Sequence, residues 1–131
     1  FRLGTAFFHA GDLENMSASL DRLLLFFPDH AQAKNNYAYY LANFGVRLDE
    51  ALTMVDAALK EQPENPNYWD TKAVVFMNQG KWGKAYGAMD ECLKFGGASI
   101  NCFIDRADVE VCASLTNFLF SATSQDRNLT I

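Results

Sequence analysis

The chain has 131 residues, half of them hydrophobic, and a formal net charge of −5. This length and apolar content are enough for one domain with its own core, but not for two. The acidic balance argues against a general nucleic-acid binder, because such proteins need surplus lysine and arginine to displace counterions from phosphates. No apolar run approaches the roughly 18 residues that span a bilayer, so we expect no membrane insertion.

The ends and the cysteines of the chain give two weaker expectations. The sequence begins with Phe1, inside a helical pattern and without a methionine, which indicates a segment of a longer protein. Cys92, Cys102 and Cys112 have neither the spacing of a zinc site nor the even number of a complete disulfide framework. The simplest expectation is therefore reduced thiols and a cytoplasmic compartment.

Small residues and turn signals recur along the chain every 34 or 35 residues. The recurring positions are Gly4, Ala38, Ala73 and Ala107, then Gly11, Gly45 and Gly80, and the prolines Pro28 and Pro63. The step of 35 has a single origin, one extra residue that we place within residues 46–48. A repeated period of this length is typical of stacked helical repeats.

In chain order, the period divides the sequence into units at residues 1–30, 31–65 and 66–98, followed by a weaker segment. Each unit has two runs with apolar residues three or four apart and a glycine between them, which predicts a helix hairpin. In the second unit, Tyr37, Leu41 and Phe44 should face Leu52, Val55, Ala58 and Leu59. In the third, Trp69, Ala73, Phe76 and Met77 should face Trp82, Ala85, Met89 and Cys92.

Helix ends are signalled as well. Asn65 before Pro66 is the pattern of a cap followed by proline at the first helical position. Asp49 and Glu50 suit the positive end of the helix that they open. Residues 99–124 are expected to form a degenerate fourth hairpin or a capping helix, with the apolar side of residues 115–120 covering the last hairpin. Residues 125–131 are expected to be a tail that can fray.

These positions resemble the tetratricopeptide repeat (TPR) family. The matching residues are Leu3, Gly4, Phe7, Leu20 and Pro28 in the first unit, Ala38, Leu41, Ala51, Ala58 and Pro63 in the second, and Trp69, Ala73, Phe76, Gly80, Trp82 and Ala85 in the third. Met16, Gly97 and Arg106 depart from the family pattern. The resemblance implies an all-α, right-handed superhelical stack of antiparallel helix hairpins, whose first helices line a concave groove.

The same resemblance implies which side chains face the groove. Asn43 and Asn78 would occupy equivalent places on neighbouring first helices, and an asparagine amide matches the C=O and N–H of a peptide backbone. Tyr39 and Phe8 would add aromatic anchors. The alternative is that the asparagines are solvated surface and that Tyr37 and Tyr40 only pack between helices. The predicted peptide-binding residues are Phe8, Asn35, Tyr39, Asn43, Asp70, Met77 and Asn78.

Two other kinds of site are not expected. The family's clamp for chaperone carboxylates would fall on Phe1, Thr5, Asn36, Asn67 and Thr71, where lysine and arginine are missing, so no cationic donor is present for a carboxylate. Catalysis, a cofactor and a metal are also not expected. The sequence has two histidines, His9 and His30, and neither has a cysteine or carboxylate at the spacing of a metal-ligand motif. His30 is expected to be a turn residue.

The sequence therefore predicts a protein-interaction module, not an enzyme, that binds a protein or peptide partner in its concave groove. One alternative is an architectural module that forms homo-oligomers, through the aromatic end at Phe1, Phe7 and Phe8 or through the apolar residues 115–120. Another is a regulatory segment of a longer enzyme.

Overall fold

The computed structural model describes residues 2–96 together with residues 110–111 and 114–115. Residues 2–96 form six α-helices and contain no strand. These are α1 (Arg2–His9), α2 (Leu13–Phe26), α3 (Ala31–Phe44), α4 (Leu48–Glu61), α5 (Pro66–Asn78) and α6 (Trp82–Gly96). Consecutive helices pair into three hairpins, and these stack through contacts of α3 with α2 and α5 and of α4 with α5. The predicted all-α repeat stack is confirmed.

Side chains cap three of these helices at their first turn. Asp12 Oδ1 accepts from the Asn15 amide at 3.1 Å before α2. His30 Nδ1 accepts from the Ala33 amide at 3.1 Å before α3. Asn65 accepts before α5, as predicted, and Pro66 follows it. Each cap satisfies a backbone N–H that the helix leaves without a partner. His30 thus has a more specific task than the turn position that we expected.

The extra residue of the second hairpin is accommodated by unusual backbone angles. Two residues separate Gly45 from α4, whereas one residue follows Gly11 and Gly80 before the next helix. Gly45 has φ 70°, like Gly11 and Gly80 at 73° and 74°, so the feature particular to this turn is Arg47. Its φ of 51° is the only positive φ of a non-glycine residue in the described part of the chain. A left-handed conformation is costly for a residue with a Cβ, so neighbouring contacts must hold Arg47 there.

The predicted apolar stripes form the core. Tyr37, Leu41, Val55, Ala58 and Leu59 are buried in the second hairpin. The third hairpin buries Ala73, Phe76, Ala85, Met89 and Cys92. The other stripe residues, Phe44, Leu52, Trp69, Met77 and Trp82, are half-buried. Met16, which replaces a small family residue, is also fully buried.

Small residues allow the paired helices to approach closely, as expected. A Cβ added to Gly4 would lie 2.9 Å from Cγ of Leu20, a distance that side chains do not tolerate without movement. Ala38 and Ala73 are fully buried at the equivalent positions of the next two hairpins. Ala107 lies outside the described residues.

The cysteine expectation needs a correction, because Cys92 is disulfide-bonded. Its predicted core position is confirmed, but it is not a free thiol. Spacing along the sequence does not report which sulfur atoms a fold brings within bonding distance. Cys102 and Cys112 lie outside the described residues.

Several predictions concern the C-terminal part of the chain. The segment 99–124, the tail 125–131 and Arg106 lie outside the described residues, except for residues 110–111 and 114–115, which are helical. Val111 and Leu115 there are 57% and 56% exposed. The unit boundaries and the covering role of residues 115–120 stay predictions. In the described part, no helix has the length and apolar character needed to cross a membrane.

The packing of the third hairpin can be tested at Phe76, which is 7% exposed. Phe76→Ala should lower the free energy of unfolding by about 3–5 kcal/mol, because it removes a large buried ring and leaves a cavity. The matched control is Phe26→Ala, since Phe26 is 67% exposed and its removal should change stability little. Urea denaturation measures both. Equal midpoints for the two variants would show that the third hairpin is not packed as described.

The close approach at Gly4 gives a second test. Alanine is the better helix former by about 1 kcal/mol, but the new methyl meets Leu20, which is only 1% exposed. We expect Gly4→Ala to destabilise the chain by about 1 kcal/mol in net terms, because overpacking outweighs helix propensity. In a Leu20→Ala background the same change should be neutral or stabilising. A higher melting temperature for the single variant would contradict the close contact.

Candidate peptide-binding groove

The aromatic residues around Tyr39 form one cluster between α1 and α3. Phe8 stacks on Tyr40 with ring centroids 4.1 Å apart and meets Phe44 edge-on at 5.8 Å. Tyr40 is buried, and its hydroxyl lies 2.9 Å from Oγ1 of Thr5. Tyr39 is 6.2 Å from Phe8 and is the most exposed tyrosine of the cluster, at 37%. The aromatic crowding is therefore mainly inter-repeat packing, and Tyr39 is the member that also presents surface.

Asn43 and Asn78 adopt the same geometry on neighbouring helices. Asn43 Nδ2 donates to the Tyr39 carbonyl at 2.8 Å, and Asn78 Nδ2 donates to the Val74 carbonyl at 2.9 Å. Both side chains are exposed. Because each amide uses only one N–H on its own helix, the second N–H and the oxygen remain for another partner. The two amides are thus held in matching orientations on α3 and α5.

Asn35 differs from the other two asparagines of the predicted site. It is only 7% exposed, and its Nδ2 donates to Oδ1 of Asn36 at 3.3 Å. Its own Oδ1 is buried without a hydrogen-bond partner. Asn35 lines a polar cavity at the beginnings of α3 and α5, beside Asn36 and Asn67. The sequence places Asn35 on the same helix face as Tyr39, but it did not predict this cavity.

The other predicted site residues lie at intermediate depth. Phe8, Asp70 and Met77 are half-buried. The Phe8 ring packs against the rings of Tyr40 and Phe44. Thr71, one of the clamp positions, is buried, and its hydroxyl donates to the Asn67 carbonyl at 3.1 Å. The exposed face is therefore defined most clearly by Tyr39, Asn43 and Asn78.

A polar network behind this face fixes the second hairpin. The Tyr37 hydroxyl donates to Asp21 Oδ1 at 2.8 Å and accepts from Arg47 Nη1 at 2.8 Å. The Arg47 guanidinium also lies 5.5 Å from the Tyr37 ring centroid and donates twice to Glu50. These contacts join α2, α3 and the start of α4. They also explain how Arg47 is held at a positive φ, a role that its sequence position alone does not reveal.

The pKa values in this network follow from its contacts. Burial raises the pKa of the Tyr37 phenol, because the charged form loses water. The hydrogen bonds to Glu50 raise the pKa of Arg47, and the same bonds lower the pKa of Glu50. Tyr37 is therefore a neutral structural group and not a candidate acid or base near neutral pH.

The groove region offers amides and aromatic surface rather than metal ligands. Among the described residues, no three histidine, cysteine or acidic side chains form a group that could hold a metal ion. Lys72 on α5 is paired with Asp56 at 2.7 Å and lies over the Trp69 ring, 5.4 Å from its centroid. His9 is exposed, and His30 caps α3.

Comparisons with known proteins agree with this architecture. No protein-family model matches the chain, and no curated protein matches it. The first TPR domain of the human RPAP3 protein superposes with a TM-score of 0.77 at 10% identity, covering 87% of this chain and 89% of that one. MamA, as the RS-1 ArsTM double mutant, superposes with a TM-score of 0.68 at 18% identity, covering 95% of this chain and 74% of that one. The chain has a TPR-like fold.

Proposed function

We propose that this chain is a protein-interaction module that binds an extended peptide segment along the exposed face of α3 and α5. The observation that carries the proposal is the matched pair Asn43 and Asn78. Both are exposed, and both are held by the same bond to their own helix backbone. Each side-chain amide can donate one N–H and offer one oxygen to a peptide unit. This arrangement suits a peptide ligand that is recognised through its backbone C=O and N–H groups.

Tyr39 supports the same proposal through its apolar area. Its ring packs on the Phe8 cluster while 37% of the residue remains exposed. A tyrosine already held by its neighbours can add contact area with little loss of rotamer freedom, and such residues dominate interface energies. The Tyr39 carbonyl also accepts the hydrogen bond that orients Asn43. The Tyr39 ring and the Asn43 amide therefore lie next to each other on α3.

Self-association is the second candidate function, and a different surface favours it. Within residues 2–96, the large hydrophobics of highest exposure lie on α1 and around the end of α2, at Leu3, Leu25, Phe26 and Phe27. The aromatic end that the sequence suggested included Phe7 and Phe8, but these two are half-buried in packing. An exposed apolar patch of this kind is typical of a protein contact surface.

The groove proposal can be tested by separating stability from binding. A peptide selected from a random displayed library against the parent chain serves as the probe, and calorimetry gives its affinity. Changing Asn43 and Asn78 together to alanine should weaken binding by about 1–3 kcal/mol, because peptide groups in the complex lose their partners. The melting temperature should stay close to that of the parent, since both side chains are exposed.

Two further variants complete the comparison. Thr53→Ala is the matched control, because Thr53 on α4 also bonds the carbonyl four residues earlier, Asp49, and is exposed. It should change neither property. Tyr37→Phe removes the hydroxyl between Asp21 and Arg47, so it should cost about 1 kcal/mol of stability while leaving affinity unchanged. Unaltered affinity in the double asparagine variant would reject the groove amides as a binding site.

The self-association candidate has its own measurement. Sedimentation at several concentrations should show a dimer that dissociates when Phe26 and Phe27 are both changed to serine, because the patch then loses most of its apolar area. A parent chain that stays monomeric at every concentration rules this candidate out and leaves the groove proposal untouched.

A further inference from the structure

The second helix of one hairpin bonds to the first helix of the next in the same register at both described junctions. The Tyr37 hydroxyl on α3 donates to Asp21 on α2 at 2.8 Å, and the two residues are 16 positions apart. Asp56 on α4 pairs with Lys72 on α5 at 2.7 Å, at the same separation along the chain. The two acids are one repeat apart, and so are their partners. These bonds are therefore equivalent contacts of the repeat.

The same register continues beyond the third hairpin. Asp90 on α6 lies one repeat after Asp56 and, like it, is exposed. The residue 16 positions after Asp90 is Arg106, which is cationic like Lys72. An arginine that meets an aspartate forms charge-assisted hydrogen bonds. This contact gives a physical reason for the cation at position 106, which departs from the family pattern.

The disulfide of Cys92 gives an independent link between α6 and the residues that follow it. Cys92 is fully buried and disulfide-bonded, and the sequence contains two other cysteines, Cys102 and Cys112. A bridge within the chain therefore joins Cys92 to one of these two. The repeat can decide between them, because each candidate pair has an equivalent one repeat earlier, where both residues are described.

The described equivalents of the two candidate pairs differ in burial. The first candidate pair corresponds to Ala58 on α4 and Tyr68 on α5. Both are buried in one hydrophobic cluster, at a junction where the two helices pack together. In the second candidate pair, Cys112 corresponds to Asn78, which is exposed and bonds the backbone of its own helix. The register therefore favours Cys102 as the partner and an exposed position for Cys112.

We propose that residues 99–113 dock on the third hairpin as the next helix of the stack. A disulfide between Cys92 and Cys102 holds the beginning of this segment, and an ion pair between Asp90 and Arg106 holds its middle. The two links are inferred from different contacts, and both give the same register. The segment then stands beside α5 as α5 stands beside α3, which lengthens the exposed face of these helices. The docking needs no ligand, so it is independent of the proposed function.

Peptide mapping of the non-reduced chain tests the disulfide assignment. Free thiols are first blocked with N-ethylmaleimide in denaturant at mildly acidic pH, which prevents exchange. Trypsin cleavage after lysine and arginine then places each cysteine in its own peptide, 85–94, 95–106 or 107–127. We expect 85–94 to be linked to 95–106, with the maleimide on 107–127. A link from 85–94 to 107–127, or maleimide on all three peptides, would overturn the proposal.

The intact mass identifies which molecule supplies the second sulfur atom. Without reduction, we expect the mass of a single chain that contains one disulfide and one free thiol. A disulfide-linked mass of two chains would show that a second copy occupies the face of the third hairpin. That result would reject docking of the chain's own segment.

Two serine variants form a matched pair for stability. Cys102→Ser removes the bridge, so it should lower the melting temperature by about 10 °C, because the denatured chain is no longer constrained. Cys112→Ser should change the melting temperature by less than about 2 °C, since the register puts this residue on the exposed face. Equal losses for the two variants, or a larger loss for Cys112→Ser, would contradict the assignment.

A charge exchange tests the ion pair. Arg106→Asp should lower the melting temperature by about 2–4 °C, because two carboxylates then meet at the junction. Adding Asp90→Arg should recover most of this loss. Asp56→Lys followed by Lys72→Asp is the calibration, since that pair is seen in the structure. Recovery at the described pair without recovery at position 106 would overturn the register, because the junctions would then not be equivalent.

Discussion

The stack depends on how closely the two helices of each hairpin can approach. At Gly4 there is no room for a methyl group against Leu20, and Ala38 and Ala73 are fully buried at the equivalent places. Close approach brings the large side chains of adjacent helices into dense contact, and this contact supplies most of the stability of short helices. The core around Leu41 follows from this spacing, while the aromatic cluster around Phe8 joins α1 to α3 of the next hairpin.

The close packing also determines which residues are left for binding. Tyr37 and Tyr40 point into contacts between helices, where their hydroxyls meet Asp21 and Thr5. Tyr39, on the other side of the same helix, keeps part of its ring exposed. The division of three clustered tyrosines between packing and surface is therefore a consequence of helix periodicity rather than of residue type.

The fold was predictable because its determinants repeat. Glycine and small residues at a fixed period, with apolar stripes on either side, predict three hairpins, and the structure has them. The cap at Asn65 was also predictable, because its signal lies within the adjacent residues Asn65 and Pro66. The positive φ of Arg47 was not, because it depends on contacts with Tyr37 on α3 and Glu50 on α4.

The candidate site was only partly predictable. The equivalence of Asn43 and Asn78 follows from the period, whereas the cavity beside Asn35 is made by two loops that are distant in sequence. The disulfide at Cys92 was missed for a similar reason, because pairing depends on spatial proximity and not on spacing. Local and periodic signals thus give the helices, and long-range contacts determine the polar details.

The bond from each asparagine amide to its own helix has a consequence for recognition. A free asparagine side chain loses rotational freedom when it binds a partner, and this loss opposes association. Asn43 and Asn78 are already restrained by the carbonyls of Tyr39 and Val74. Much of the ordering has thus taken place during folding. A contact made through these amides can be weak in enthalpy and still contribute to affinity, because little entropy remains to be lost.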